Sequence, residues 1–144
     1  MADSFAMSKE EREAFLADVR VGIIAIERPD RGPITVPVWY GYEPGGTVDV
    51  LMQADSRKFT GIEAAGRFSL CVQTETSPYR YVSVEGPVTS TRPYEIDTDL
   101  LEMAIRYLGE EGGRDYATNV GAGGNGVRVS MTPTRWSTVD YGKR

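Results

Sequence analysis

The sequence predicts a mainly β domain whose antiparallel strands form a closed or nearly closed barrel with flanking helices. Two observations indicate this fold class: short β-rich segments recur between Gly- and Pro-containing turns, and one short helix is inserted after the third segment. An open α+β sheet with its helices on one face is the alternative. The 144 residues, 40% of them apolar, match a single domain over residues 1–144.

The first half of the chain predicts two helices and three strands. Ser8 and Glu11 have capping-box spacing, which predicts a helix that ends near residue 19. Ser56 is the expected N-cap of the second helix, and Gly66 follows its last turn. Pro37 marks an edge or an irregular point of the second strand. The three predicted strands are separated by turn residues and comprise residues 21–27, 34–42 and 47–53.

The second half predicts one further helix and four strands. Apolar residues at helical spacing predict the helix over residues 97–108. We expect the glycine-rich segment 109–126 to be a loop. The four strands are predicted from β-rich or alternating composition, over residues 67–74, 79–91, 127–131 and 134–141.

Composition excludes several classes of function. The chain has no histidine, so it cannot form Ser-His-Asp or Cys-His triads or His-ligated zinc and haem sites. A net charge of −5 without a long Lys/Arg stretch argues against a nucleic-acid partner. No apolar run approaches the ~18 residues of a membrane span, and the single cysteine, Cys71, rules out an intrachain disulfide. We therefore expect a cytoplasmic protein without a metal site.

The junction between the third strand and the second helix is a candidate anion-binding site. It is formed by Met52, Gln53, Ala54, Ser56, Arg57 and Lys58. The free N–H groups at the start of a helix favour an anion, and two cationic side chains would add fixed positive charge. Such a site would suit a phosphate group. The alternative is a capped surface helix with solvated cations.

Two aromatic segments could contact a flat ligand. Residues 36–40 place Trp39 and Tyr40 beside backbone that Pro37 keeps from regular pairing, and such backbone could bind the edge of a heterocycle. Alternatively, the two aromatic side chains fill the core and the rim of the barrel. In residues 79–81, an arginine between two tyrosines could stack on a ring, or could pack in a dimer interface.

The segment 121–126 has the GxGxxG spacing of dinucleotide-binding loops. That motif requires a strand before it and a helix after it. Here a helix and a loop precede the segment, and a strand is predicted after it. We therefore expect a flexible connection or a lid, and no nucleotide-binding loop.

Taken together and in this order, the segments resemble the pyridoxamine 5′-phosphate oxidase-like superfamily of split β-barrels, and within it the flavin/deazaflavin branch whose members often use coenzyme F420. The resemblance covers nearly the whole chain, although each motif is short. It rests on the N-terminal helix and on residues 21–26 (VGIIAI), 36–40 (VPVWY), 56–58 (SRK), 68–72 (FSLCV), 81–86 (YVSVEG) and 127–136.

The resemblance implies a role for each part of a cofactor site. In this family, cations at the strand–helix junction bind the cofactor phosphate, which implies Lys58 as the main phosphate ligand with Ser56 and Arg57 beside it. The family often has a second basic residue where this chain has Ser56. The ring of the cofactor would lie along Val36, Pro37 and Val38, and the ribityl chain above Met52, Gln53 and Ala54. Family members are homodimers that share the site between subunits, which implies that Arg80 and Tyr81 contribute across the interface.

The implied function is that of an F420-dependent oxidoreductase that transfers hydride to a small unsaturated or quinone-like substrate. This chemistry needs no histidine, because the cofactor supplies it. An FMN-dependent oxidase or reductase on the same barrel is the first alternative. The others are a carrier of a flavin or haem-derived ligand and, last, a barrel that binds single-stranded nucleic acid. Neither the natural substrate nor the proton donor can be identified from the sequence.

Overall fold

The computed structural model describes residues 5–120 and 125–143. No helix in these ranges is long and apolar enough to cross a membrane. The helices are α1 (Lys9–Ala17), α2 (Arg57–Ala65) and α3 (Leu101–Val120), the last preceded by a π-helical turn at Ile96–Leu100. The strands are β1 (Gly22–Arg28), β2 (Arg31–Val38), β3 (Gly41–Tyr42), β4 (Val48–Gln53), β5 (Arg67–Gln73), β6 (Arg80–Pro93), β7 (Gly126–Met131) and β8 (Arg135–Asp140).

All strand pairs are antiparallel, and the sheet has the order β2-β1-β5-β6-β7-β4-β3, with β8 also paired to β6. The long strand β6 joins two half-sheets. Its first part pairs with β5 and β8, and its last part pairs with β7. The predicted mainly β barrel with flanking helices is confirmed, and the barrel is split at β6.

Strands β7 and β8 lie end to end along one edge of β6. The chain bulges between them, but two backbone hydrogen bonds continue the ladder, from the Thr132 N–H to the Pro87 carbonyl (3.0 Å) and from the Thr134 N–H to the Glu85 carbonyl (2.9 Å). Gly86 lies directly beneath this bulge, where a Cβ atom would overlap the Thr132 carbonyl. The backbone can pass from one half-sheet to the other here because this position has no side chain.

Local signals predict the short helices correctly. The Ser8 Oγ accepts the Glu11 N–H (3.1 Å), and Glu11 Oε1 accepts the Ser8 N–H (2.7 Å), so the capping box of α1 is complete. At α2, the Ser56 Oγ accepts the Phe59 N–H, and Gly66 ends the helix in the left-handed conformation with φ 72°. Each of these contacts joins residues close in sequence, which explains why sequence reasoning can find them.

The core lies inside the barrel and is closed at its ends by α1 and α2. Tyr40 is completely buried, and its hydroxyl donates to the Leu16 carbonyl at 2.7 Å, so a polar atom inside the core is satisfied. Met7 joins the core from the segment before α1. The other core side chains alternate along the strands or point inward from the helices: Phe15, Leu16, Ile24, Ile26, Ile34, Tyr42, Val48, Val50, Met52, Ile62, Phe68, Leu70, Val72, Val82, Val84, Val129 and Met131.

Two predictions of local structure are wrong. The predicted strand 34–42 is broken at Trp39 and Tyr40, which separate β2 from β3. The predicted loop 109–126 is largely helical, because α3 continues to Val120 after a kink at Gly109, where φ is 83°. The glycines of this segment predict a loop, but they have a role in packing. At Gly113 a Cβ would lie 2.6 Å from the Ile105 backbone, so only glycine allows the two parts of α3 to pack together. Residues 121–124 of the GxGxxG segment lie outside the described residues, and Gly126 begins β7, as the expected strand requires.

Candidate functional site

A cleft of about 320 Å³ opens where the C-terminal ends of β2 and β4 meet the start of α2, and α3 covers it. Its lining combines one cation with aromatic and apolar side chains, a composition suited to a flat ligand that carries an anionic group. The lining residues are Pro37, Val38, Trp39, Leu51, Met52, Gln53, Lys58, Tyr94, Leu100, Met103, Tyr116 and Val120.

The structure brings five of the sequence-predicted site residues together in this cleft. They come from three separate segments and are Pro37, Val38, Met52, Gln53 and Lys58. β2 is the edge strand of its half-sheet, so the outer side of its backbone has no strand partner among the described residues. Pro37 has no N–H to donate, and on an edge strand this need not cost a hydrogen bond to a neighbouring strand. An edge strand can therefore accommodate proline at this position.

The other predicted site residues do not line the cleft of this chain. Val36 packs against the core. The Ala54 N–H donates to the Asn125 carbonyl at 2.7 Å, and the Ser56 hydroxyl both caps α2 and donates to the Gln53 carbonyl. Arg57 lies beside Lys58 on the first turn of α2 but outside the lining. Arg80 and Tyr81 begin β6 and pair with β8, and they too lie outside the lining.

Lys58 is a free cation within the described part of the chain, since it forms no ion pair or side-chain hydrogen bond there. The first turn of α2 also contains no acidic residue. Three arginines add positive charge near Lys58. Arg57 is its neighbour in sequence, and Arg28 lies close to both Arg31 and Arg57: burial first, and then the charges of Arg31 and Arg57, lower the pKa of Arg28. In a chain of net charge −5, this corner of the cleft is locally positive and can accept an anion.

Stacked aromatic rings form the wall on the side of α3. Trp39 and Tyr107 stack with their centroids 4.9 Å apart and an angle of 4° between the rings, and Tyr116 lies 5.3 Å from Trp39. The Tyr107 hydroxyl accepts the Tyr40 N–H (3.0 Å) and donates to the Arg20 carbonyl (2.7 Å). These contacts fix the indole of Trp39 at the break between β2 and β3, so the wall is held in place before any ligand binds.

Sequence reasoning missed the contribution of α3 and of the end of β6. Tyr94 lies close to the start of β7, because a Cβ at Gly126 would overlap its ring, and its hydroxyl accepts the Gln53 Nε2–H at 3.4 Å. Met103, Tyr116 and Val120 reach the cleft from α3, and Leu100 reaches it from the π-helical turn before α3. The apolar helical repeat was the available signal, but it does not reveal which neighbour the helix packs on.

An ion-pair network fixes the start of α3 to the sheet. Arg92 and Arg128 are direct partners across β6 and β7, an arrangement that places like charges opposite each other. The nearly buried Asp99 carboxylate compensates both, accepting from Arg92 (2.8 and 2.9 Å) and from Arg128 (2.7 Å), while Asp49 binds the second arm of Arg128 at 2.9 Å. Hydrogen bonds from Arg92 above all hold the pKa of Asp99 far below its usual range. Leu100, the next residue, is thereby positioned in the cleft.

We expect Asp99→Asn to destabilise the protein by about 2 kcal/mol at neutral pH, because it removes the nearly buried carboxylate that the partly buried Arg128 shares with the half-exposed Arg92. Since folding lowers the pKa of Asp99, its contribution is complete above the unfolded pKa near 4 and is lost as the pH falls toward the folded value. The difference between variant and wild type should therefore shrink below about pH 4. Urea unfolding across pH measures it, with the exposed Asp97→Asn as control; a difference that stays constant with pH would contradict the assignment.

The chain matches no model of a protein family, and no curated protein matches it. Several solved structures, however, are similar to the chain. An F420 reductase is 26% identical with a TM-score of 0.71, over 87% of this chain and 94% of the other. A FAD-binding protein from Mesorhizobium loti is 20% identical (TM-score 0.64; 92% and 93% covered). A Listeria innocua protein assigned as a pyridoxamine 5′-phosphate oxidase is 9% identical (TM-score 0.64; 90% and 96% covered).

These likenesses extend over nearly the full length of both chains in each case. Their TM-scores of 0.64 to 0.71 indicate the same fold, and two of the three proteins are named for a flavin-type cofactor. Fold and similarity agree with the resemblance drawn from the sequence motifs. The chain has the split β-barrel fold of pyridoxamine 5′-phosphate oxidase-like proteins, and an F420 reductase is among the structures that it resembles.

Proposed function

We propose that this protein is an F420-dependent oxidoreductase that transfers hydride to a small unsaturated or quinone-like substrate. The observation that carries the proposal is the free cation Lys58 at one end of a cleft whose other walls are aromatic and apolar. The 26% identity to an F420 reductase supports the choice of cofactor.

The residues of the cleft fit a deazaflavin nucleotide in both charge and shape. Lys58 and the first turn of α2 would bind its phosphate, with Arg57 adding charge from the adjacent position. Pro37 and Val38 present edge backbone to the ring, while Met52 and Gln53 lie where the ribityl chain would cross the end of β4. Lysine binds phosphate as a point charge, so this site does not depend on a second basic residue at Ser56.

When bound, a reduced deazaflavin supplies hydride from its C5 carbon. The protein would orient the acceptor and exclude water around it. Trp39, held by Tyr107, offers a fixed flat surface for an aromatic acceptor, and Met103 and Leu100 close the cleft from the side of α3. The hydroxyls of Tyr94 and Tyr116 belong to residues that line the same cleft, so either tyrosine is placed to donate a proton.

Titration of the protein with F420, FMN and FAD side by side tests the cofactor. We expect a colourless purified protein that quenches the fluorescence of added F420 and binds it more tightly than either flavin. Reduced F420 should then be oxidised by quinone acceptors only in the presence of the protein. A yellow protein that retains FMN or FAD and ignores F420 would favour the alternative, a flavin-dependent enzyme or carrier, to which the likeness with a FAD-binding protein points.

We further propose that the protein works as a homodimer whose second subunit covers the outer face of β1, β5, β6 and β8. Ile23, Cys71 and Ser83 are neighbours across this face by strand register, and Ile23 is 43% exposed. The exposed Arg67–Glu85 ion pair on the same half-sheet provides charges of both signs, as a self-complementary contact requires. Arg80 and Tyr81 of each subunit would then act in the site of its partner.

Sedimentation at micromolar concentration should show a dimer. Ile23→Glu places a charge at the centre of the proposed contact, and we expect this variant to sediment as a monomer. Leu108→Glu, at a residue 46% exposed on α3, is the matched control and should remain dimeric. A wild-type monomer that still binds cofactor would contradict the shared site.

A further inference from the structure

The backbone around Tyr94 is held on both sides at the edge of the cleft. The Tyr94 N–H donates to the Gly126 carbonyl at 3.1 Å, which extends the pairing of β6 with β7 by one residue. The next N–H, that of Glu95, donates to the Asp99 carboxylate at 2.8 Å. Asp99 in turn belongs to the ion-pair network at the start of α3. Tyr94 therefore enters the cleft from a backbone that is fixed before any ligand binds.

The ring of Tyr94 lies directly on the backbone of Gly126. A Cβ at Gly126 would overlap the ring, so this close approach requires glycine. Gly126 is also the register partner of Gln53 across β7 and β4, and the ring extends over Gly126 to reach the Gln53 side chain. The sheet itself thus sets where the Tyr94 hydroxyl lies.

The proton of the Tyr94 hydroxyl is not engaged. The hydroxyl oxygen accepts the Gln53 Nε2–H in a long hydrogen bond of 3.4 Å. Within the described residues, no group accepts the Tyr94 O–H in return. A phenolic hydroxyl can accept and donate at the same time. Because Tyr94 lines the cleft, its O–H can donate to a ligand bound there.

The other two tyrosines near the cleft differ from Tyr94 in this respect. The Tyr107 hydroxyl donates to the Arg20 carbonyl at 2.7 Å, so its proton is engaged. Tyr116 packs its ring 5.3 Å from that of Trp39, and no hydrogen bond to a described residue fixes its hydroxyl. Of these three tyrosines, Tyr94 combines a fixed hydroxyl oxygen with a proton that no described residue accepts.

We propose that Tyr94 is the catalytic acid of the site and that Gln53 and Gly126 position it. The inference rests on the proposed oxidoreductase function, and it narrows the substrate class to acceptors with a carbonyl oxygen. The Tyr94 O–H bond breaks and an O–H bond forms on that oxygen, while the acceptor also gains two electrons and one hydrogen as hydride from the reduced cofactor. Solvent takes one proton from the oxidised cofactor and returns one to the Tyr94 phenolate.

A donor of this kind selects its substrate as well as protonating it. A site built to donate a hydrogen bond to a ligand oxygen discriminates against an analogue that lacks the oxygen. The cleft is otherwise aromatic and apolar on this side, so shape alone would not separate the two ligands. Quinones and enones should therefore bind in preference to alkenes or arenes of the same outline.

A matched pair of ligands tests the hydrogen bond without turnover. 2,3-Dimethyl-1,4-naphthoquinone has two carbonyl oxygens, and 2,3-dimethylnaphthalene has the same rings and methyl groups without them. Equilibrium dialysis of the full chain gives the affinity for each. We expect Tyr94→Phe to weaken binding of the quinone about three- to tenfold, as the loss of one neutral hydrogen bond allows, and to leave binding of the hydrocarbon unchanged. Tyr116→Phe is the matched control and should change neither affinity.

Stopped-flow oxidation of reduced F420 by the same quinone tests the proton transfer. We expect Tyr94→Phe to lower the maximal rate about a hundredfold, within the range for general acids, and to leave the affinity for F420 unchanged. Gly126→Ala keeps the hydroxyl but displaces the ring, so it should also slow the reaction. Circular dichroism checks that both variants fold.

The outcomes separate the two proposals. Binding of neither ligand by the wild type, a quinone affinity that Tyr94→Phe leaves unchanged, an equal loss for both ligands, or an undiminished oxidation rate would each overturn the assignment of Tyr94. A loss confined to the quinone, together with no oxidation of reduced F420 by the wild type, would retain Tyr94 as the donor to a carbonyl ligand and contradict the oxidoreductase function.

Discussion

Lys58→Ala is expected to weaken the binding of F420 by about ten- to a hundredfold, because it removes a charge-assisted phosphate contact worth roughly 1.5–3 kcal/mol. The loss should be confined to phosphorylated ligands. A deazaflavin without the phosphate should bind the variant and the wild type almost equally. Titration of both proteins with both ligands forms a double-mutant cycle in which one of the changes is made in the ligand.

The alternative for Lys58, a solvated helix cation, makes a different prediction: a stability change below about 0.5 kcal/mol and no effect on binding. Lys9→Ala is the matched control, since it removes a lysine from the first turn of the other short helix and Lys9 does not line the cleft. A coupling energy near zero in a folded Lys58→Ala protein would place the phosphate elsewhere. A similar loss with Lys9→Ala would indicate a long-range effect of charge.

Gly86→Ala should destabilise the protein by about 3 kcal/mol, the upper range for overpacking, because the new Cβ overlaps a backbone carbonyl that cannot rotate away. That carbonyl belongs to Thr132, whose own N–H is bonded to Pro87 across the bulge. Urea unfolding measures the change. Gly32→Ala is the control, since a Cβ there meets nothing within 4 Å, and its effect should stay below about 1 kcal/mol. An unchanged midpoint for Gly86→Ala would show that the bulge moves freely.

Sequence reasoning succeeded where the deciding contacts join near neighbours in the chain. The caps of α1 and α2, the alternation of Leu70 and Val72 on β5, and the strand–helix junction at Lys58 are all of this kind. The helix start that places Lys58 in the cleft could therefore be predicted, because such a start is recognisable from a few consecutive residues.

The rest of the site depends on contacts between distant segments. Helix α3 beyond Gly109 was mistaken for a loop because Gly112 and Gly113 lower helix propensity, and only the packing of Gly113 on Ile105 explains the glycine. The pairing of Arg92 with Arg128, and its compensation by Asp99, follows from the register of β6 and β7, which no local pattern specifies. Tyr94 and Tyr116 also depend on these distant contacts, because Tyr94 follows β6 and Tyr116 lies on α3.

The order of strands along the chain has a consequence for how the protein folds. β4 pairs with the two-residue β3 and with β7, and α2, β5, β6 and α3 are all synthesised between β4 and β7. Until β7 leaves the ribosome, one edge of β4 has no partner and the second half-sheet cannot form. Non-local pairing of this kind is characteristic of folding over milliseconds to seconds, well above the microseconds typical of small helical bundles. The nascent chain therefore carries an open strand edge from the synthesis of β4 until β7 emerges, and during that time it is exposed to aggregation.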